Sequence, residues 1–296
     1  MSDLIQTYNL CHRLLGNLEQ RILGKKPILE KIVATFIAGG HILLEDVPGV
    51  GKTLLSKTLA NSVHCEFKRI QFTNDLLPSD ILGINIYNQP SNSFKFIQGP
   101  IFSNIILADE INRGSPKTQS ALLEAMEEKQ VTIDNVTYNL PELFFIIATQ
   151  NDLQDSGTYH LPFAQLDRFW ISLNLGYPDP KTEFDILEKK LNRKSLEKTE
   201  AITNSTEILQ ARKNLNQVFV SPKILSSVIN FANKTRHESE LIFGASTRSL
   251  IQLLQICRAV AVIDKRDYVT LDDVRSLASD VLCHRLGSQI NVTDLI

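Results

Sequence analysis

The segment Val47-Pro48-Gly49-Val50-Gly51-Lys52-Thr53 stands directly after the apolar run Ile42-Leu43-Leu44 and opens a helical pattern from Lys52 to Val63. A glycine-rich loop in that setting turns successive backbone N–H groups toward a phosphate chain. The helix that follows adds its positive N-terminal end. Lys52 is placed to reach β- and γ-phosphates, and Thr53 to put its hydroxyl on Mg²⁺. The stretch expected to hold a nucleotide is therefore Asp46, Val47, Pro48, Gly49, Val50, Gly51, Lys52, Thr53 and Leu54. The phosphate-loop pattern asks for glycine at its first position, where this chain has Asp46.

Two further groups point to the same chemistry. Asp109-Glu110 closes the apolar run Ile105-Ile106-Leu107-Ala108. A buried parallel strand delivers its last residues to the crevice where ligands bind. There Asp109 can join a Mg²⁺ shell, and Glu110 can orient and polarise an attacking water. An isolated Asp-Glu is more often a solvated helix start; the phosphate loop upstream is what gives this one meaning. Thr149-Gln150-Asn151 follows Phe144 to Ala148. The Asn151 amide both donates and accepts, which suits holding water against a γ-phosphate. Capping the next turn is the competing role for such an asparagine.

These groups need a scaffold that brings strand ends together. Candidate strands are Ile42–Leu44, Phe67–Phe72, Ile105–Ala108, Phe144–Ala148 and Phe169–Leu175, with helical patterns such as Lys52–Val63 and Ser115–Glu128 between most of them. That alternation predicts an α/β fold with a parallel sheet covered on both faces. Gln130 to Leu140 alternates around Asp134-Asn135, which predicts a hairpin with a two-residue turn. Ile84 to Phe96 suggests a second hairpin with a longer tip, and either could be a surface feature without a role. After Tyr177-Pro178-Asp179-Pro180 the pattern turns all-helical, with helices near Lys181–Leu191, Ser205–Val218, Ser221–Thr235, Ser246–Asp264 and Thr270–His284. The expected division is a nucleotide domain over 1–176, with an N-terminal helix and both hairpins, and a helical domain over 177–296. Thr270 with Asp273 resembles a capping box.

Composition narrows the function further. In 296 residues, Lys plus Arg number 31 against 33 for Asp plus Glu, so the basic surplus of a dedicated nucleic-acid binder is missing. The most apolar segment, Ile32 to Leu44, is broken by Gly39, Gly40 and His41, too short to span a bilayer. Met1-Ser2-Asp3-Leu4 does not open like a signal peptide. Cys11, Cys65, Cys257 and Cys283 form no C-x-x-C pair, and the six histidines fall in no ligand spacing. Buried thiols in a cytoplasmic, reducing setting are the expectation.

Taken together, Glu45 to Thr53, Asp109-Glu110-Ile111-Asn112-Arg113, Gln119 to Glu128, Ala148-Thr149-Gln150-Asn151 and Leu166-Asp167-Arg168-Phe169 resemble the MoxR family of AAA+ ATPases. Further matches are Ile70-Gln71-Phe72-Thr73, Asp75 to Asp80, Gly99-Pro100-Ile101-Phe102, Gly244 to Ser249 and Asp267-Tyr268-Val269-Thr270. The resemblance runs from about Gly24 to about Arg285. The family's loop commonly lacks glycine at the first position, so Asp46 fits it. Departures are small: Asp152 follows Asn151, Phe163 follows Leu161-Pro162, and Thr247 precedes Arg248. Phe163 could alter a subunit contact.

The resemblance implies a wedge-shaped nucleotide domain with a small all-helical lid, assembled as a ring, usually a hexamer, with ATP and Mg²⁺ at the subunit junctions. It makes Asn151 the sensor of the γ-phosphate. Arg168 becomes the arginine finger acting on a neighbour's ATP, and Arg248 the second sensor linking nucleotide to lid. Arg113 is expected at a junction, and the two hairpins are expected to line a pore or touch clients. Without the resemblance, Arg168 and Arg248 read as surface ion pairs. The implied activity is ATP hydrolysis driving remodelling or maturation of client proteins, among them separate proteins with von Willebrand factor A domains. Two rivals are a nucleotide-gated scaffold that barely hydrolyses, which Glu110 speaks against, and a DNA-acting motor, which the balanced charge disfavours.

Overall fold

The computed structural model describes residues 2–47, 49–90, 92–151, 158–191, 200–238 and 241–286. Two helices come first, α1 (Ser2–Arg21) and α2 (Lys26–Ala38). Pro27 lies in the first turn of α2, where its missing N–H costs nothing. The helix stops at Gly39, whose φ of 93° is the left-handed conformation that favours glycine. Gly40 then passes so close to Trp170 that a Cβ would lie 2.5 Å from the indole. Arg212 covers the helix end, donating to the carbonyls of Phe36 and Ile37 at 3.2 Å each. Both are among the last carbonyls of the helix, the ones its end leaves open; that of Phe36 also accepts from Gly39 N–H at 3.2 Å.

The sheet part runs β1 (His41–Glu45), α3 (Lys52–Ser62), β2 (Phe67–Gln71), α4 (Pro78–Leu82), β3 (Gly83–Asn88), β4 (Ser93–Gln98), β5 (Ile105–Asp109), α5 (Pro116–Glu128), β6 (Gln130–Ile133), β7 (Val136–Asn139), β8 (Phe145–Gln150), α6 (Phe163–Leu166) and β9 (Phe169–Leu173). Five of these strands form one parallel sheet in the order β2-β5-β8-β1-β9. Alternate residues enter opposite cores. Ile42, Leu44, Ile105, Leu107, Phe145 and Ile147 join one; Leu43, Ile106, Ala108, Ile146 and Ala148 join the other. Burial on both faces is why these strands read as unbroken apolar runs.

Both expected hairpins are present. β6 and β7 turn through Asp134 and Asn135, with φ of 48° and 64°. Such a turn matches the twist of the strands it joins. β3 and β4 pair from Gly83–Gln98 to Asn88–Ser93 and leave Ile84, Ile86, Tyr87, Phe94 and Ile97 exposed.

Beyond Gly176 the chain is helical: α7 (Pro180–Leu191), α8 (Ser205–Asn214), α9 (Pro222–His237), α10 (Thr247–Ile263) and α11 (Leu271–Leu286). The segment read as one helix to Val218 stops at Asn214 and tightens into a 3₁₀ turn, Leu215–Gln217. Serine side chains cap α9 and α10, Ser221 accepting from Ile224 N–H and Ser246 from Ser249 N–H. The capping box of α11 closes both ways. Thr270 N–H donates to Asp273 Oδ2 at 2.8 Å, and Asp273 N–H to Thr270 Oγ1 at 3.3 Å. α10 packs on α1, α2 and α11, and α11 packs on β9. One apolar core therefore runs from α1 and α2 through one face of the sheet into the last helices.

Two histidines are sealed into this framework. His41 opens β1, and its Nδ1 accepts from Ile146 N–H at 3.0 Å. Burial pushes its pKa down to about 3. His284 on α11 meets the Phe169 carbonyl, and burial followed by the charge of Arg285 pushes it down to about 3 as well. Both rings are neutral in the fold, whereas the unfolded chain takes up protons as pH falls through about 6.5. Their contribution to stability is present above that pH and is lost as pH falls toward 3. By pH 5 each costs about 2 kcal/mol relative to neutral pH. Denaturant unfolding at pH 7.5 and 5.0 should show this loss, and His41→Asn should shrink the difference by about 2 kcal/mol.

Candidate active site

The phosphate loop leaves the C-terminal end of β1 and enters α3 through Gly51. Gly49 and Gly51 have φ of 90° and 99°, and a Cβ on either would meet nothing within 4 Å. The demand for glycine here is conformational, not spatial. Lys52 Nζ arches back to donate to the Asp46 carbonyl at 3.1 Å. A cavity of about 400 Å³ opens beside the loop, lined by Gly49, Gly51, Lys52, Thr53, Leu54, Arg69, Gln71, Asp109, Glu110 and Asn151. A loop of open left-handed glycines with a lysine, a hydroxyl and a carboxylate around one cavity fits a triphosphate with Mg²⁺.

Most of the expected residues thus meet in one place. Asp46, Val47, Val50, Arg168 and Arg248 do not line it; for Asp46 the reason is clear. Its carboxylate is turned away from the cavity and accepts from Leu175 N–H at 2.7 Å and Gly176 N–H at 2.9 Å. It ties the loop to the end of β9, just before the chain enters the helical part. Only its carbonyl, through Lys52, touches the site. Val50 packs against the core instead, and Pro48 lies outside the described residues.

Asp109 ends β5, almost buried. Thr149 Oγ1 donates to its Oδ1 at 2.7 Å and accepts from Glu110 N–H at 2.9 Å. One hydroxyl therefore sets both the carboxylate and the backbone that carries the next acid. Glu110 has φ of 55°, unusual for a residue with a side chain. Its Oε2 accepts from Gln71 Nε2 at 3.1 Å and lies 3.0 Å from Arg113 Nε. Asn151 is held through its carbonyl by Asn112 Nδ2 at 3.1 Å. Arg69 and Gln71 were not singled out by sequence as site residues. Arg69 donates twice to Asp109 Oδ2, at 3.1 and 2.6 Å, and once to Gln71 Oε1 at 2.8 Å. Their signal was available: two polar residues two apart at the end of β2 face the same side.

Arg168 and Arg248 lie elsewhere. Arg168 immediately precedes β9, and Phe169 is in register with His41 at the start of β1. That is the N-terminal edge of the sheet, one strand length from the phosphate loop, or about 15 Å for five residues. Arg248, at the start of α10, joins it there. Both line a second cavity of about 480 Å³ with Glu127, Lys129, His41 and Trp170. Phe163, flagged as a possible subunit contact, packs edge-on against Phe243 of the same chain. The thiols stay out of the chemistry: burial raises Cys11 to about 12 and Cys65 to about 11, and all four cysteines are free.

Comparison with known proteins bears on family and fold. A family model described as "ATPase family associated with various cellular activities (AAA)" matches residues 41–171, and an AAA lid domain model matches 233–294. Protein YeaC of Bacillus subtilis, uncharacterized, is 44% identical over 93% of this chain and 87% of its own length. Chaperone MoxR1 of Mycobacterium tuberculosis is 38% identical over 93% of this chain and 74% of its own. A crystal structure of a Cytophaga hutchinsonii protein assigned as an ATPase superposes with a TM-score of 0.88 at 38% identity, covering 96% of this chain and 89% of that one.

The chain belongs to the MoxR family of AAA+ ATPases. In this family member the AAA match contains the phosphate loop, Asp109, Glu110, Asn151 and Arg168, while the lid match contains Arg248 and Arg285. Among the described residues no helix is long and apolar enough to cross a membrane.

The two N–H bonds of Asp46 make a testable distinction between support and contact. Asp46→Ala should lower the thermal midpoint by about 2–6 °C, through the loss of two charge-assisted hydrogen bonds. The affinity for a fluorescent ATP analogue should stay within about 3-fold, because the carboxylate does not face the cavity. A loss of binding without a loss of stability would show the side chain to be a ligand contact after all.

Proposed function

We propose that this MoxR-family chain hydrolyses Mg-ATP to ADP and phosphate at the junctions of a ring of like subunits, and uses the cycle to remodel or mature client proteins. The observation that carries the reading is the split of its charged groups. The phosphate loop, Asp109, Glu110 and Asn151 share one sheet edge, and Arg168 and Arg248 share the other. A subunit of this shape offers a nucleotide cavity on one side and arginines on the opposite side, which suits head-to-tail packing into a closed ring. The family resemblance makes that ring a hexamer. The relative named Chaperone MoxR1 supports client remodelling, and separate proteins with von Willebrand factor A domains are the client class to test first.

Within a junction, Lys52 would leave the Asp46 carbonyl for the β- and γ-phosphates, while the backbone N–H groups of the loop hold the chain of phosphates. Thr53 and Asp109 would hold Mg²⁺, which would supply charge neutralisation to the phosphates. Glu110 takes the proton of the attacking water as its oxygen bonds to the γ-phosphorus and the bond to the β,γ-bridging oxygen breaks. Asn151 holds that water in line. Arg168 of the next subunit meets the charge that develops. A guanidinium remains charged at any working pH, so its delivery depends on assembly and not on pH.

Phosphate release from Mg-ATP, measured across protein concentrations, tests this. Turnover per subunit should rise with concentration as junctions form. Glu110→Gln should lower it by about 10² or more, and Arg168→Ala by about 10³, with ATP binding retained in both. Intact ATP binding with no turnover at any concentration would point to a nucleotide-gated scaffold. A salt-sensitive shift of DNA would instead revive a DNA-acting motor.

A further inference from the structure

Arg168 and Arg248 do not point freely from the N-terminal edge. A single carboxylate holds both. Arg248 Nη1 donates to Glu127 Oε1 at 2.8 Å, and Arg168 Nε lies 3.3 Å from Glu127 Oε2, too poorly aligned for a hydrogen bond. Arg168 Nη1 donates to the Ala164 carbonyl at 3.1 Å, which steadies the guanidinium from its own strand entry. Asp167 joins from the other side, 3.8 Å from Arg248 Nε and 3.3 Å from Arg285 Nη1. Glu127 and Asp167 belong to the sheet part, and Arg248 and Arg285 to the last helices, so the cluster also bridges the two. The side chains of Glu127, Arg168 and Arg248 keep 33, 26 and 45% of their exposure. At such exposure ion pairs are screened and weakly held.

We propose that Glu127 is a positioning residue that parks Arg168 and Arg248 together in the isolated subunit and gives them up to the triphosphate of a neighbouring subunit when the ring closes. This rests on the trans reading of Arg168 above and extends it to Arg248, which lines the same cavity. The chemistry favours the exchange. One carboxylate carries a single negative charge and two acceptor oxygens for two guanidinium forks, and it leaves one of them misaligned. A terminal phosphate carries more charge and three oxygens, each open to a well-directed N–H. Glu127 thus costs little to displace, yet keeps two like charges from driving each other apart before assembly.

The protein carries its own reporter. Trp170 is its only tryptophan, lies two residues from Arg168, and lines the same cavity. In a Glu110→Gln background, which blocks turnover, Mg-ATP should shift Trp170 emission in a way that requires protein concentrations high enough for assembly. Adding Glu127→Gln should shift the emission before any nucleotide is present. It should also move the protein concentration for half-maximal ATP response about 3-fold, because the arginines no longer have to be released. Glu124→Gln, one turn earlier on the exposed side of α5, is the control and should do neither. Emission and assembly identical to the parent would overturn the proposal. So would a Glu127→Gln protein, otherwise wild type, that loses turnover as completely as Arg168→Ala, since Glu127 would then be needed after release. If Arg168→Ala and Arg248→Ala leave turnover intact, the trans reading itself fails, and that outcome is read from different variants.

Discussion

Parallel strands send their last residues to one edge of a sheet and their first residues to the other, and every strand of this sheet runs the same way. The phosphate loop after β1, the two acids after β5 and the asparagine after β8 must therefore share an edge. Arg168, which precedes β9, must sit on the opposite one. Five residues of strand keep them about 15 Å apart. No side-chain rearrangement within one subunit closes that distance while the sheet stays paired. A second copy would be needed to bring Arg168 to the loop edge, which is what the proposed junction supplies.

The nucleotide edge is held by buried or half-buried polar groups, each of which serves two elements. Glu45 accepts from Gln150 of β8 at 2.6 Å and from Ser172 of β9 at 2.8 Å, binding three strand ends. Thr149 sets Asp109 and the backbone of Glu110 at once. Asp46 joins the loop to the residues that lead into the helical part. Glu45 and Thr149 find their partners on neighbouring strands, so the sheet's register sets that part of the site's geometry. The helical part is anchored with equal economy, through α10 on α1 and α2 and through α11 on β9.

Much of this was legible in the sequence because its determinants are local. Continuous apolar runs announced strands covered on both faces, the Thr270–Asp273 pair marked where α11 begins, and Asp134-Asn135 marked a tight turn. The glycine–lysine–threonine loop located the cavity. What escaped was set by distance along the chain. Asp46 looked like a loop residue until residues 129 and 130 positions later turned out to supply its partners. Glu127 and Arg248 are separated by 121 positions, and no periodicity joins them. Arg69 and Gln71 sit on an edge strand whose polarity reads as solvent exposure; only the β2–β5 pairing brings them to Asp109 and Glu110.

In the proposed ring each working site is built from the loop edge of one subunit and the arginine edge of the next. Mixing two inactive variants tests it directly. Glu110→Gln subunits keep a sound Arg168, and Arg168→Ala subunits keep a sound Glu110. In an equimolar mixture allowed to exchange, about one junction in four pairs a sound Glu110 with a sound Arg168 by random assortment. Phosphate release should then rise well above either variant alone, approaching about a quarter of the wild-type rate. A mixture no more active than the sum of its parts, with co-assembly verified, would contradict it.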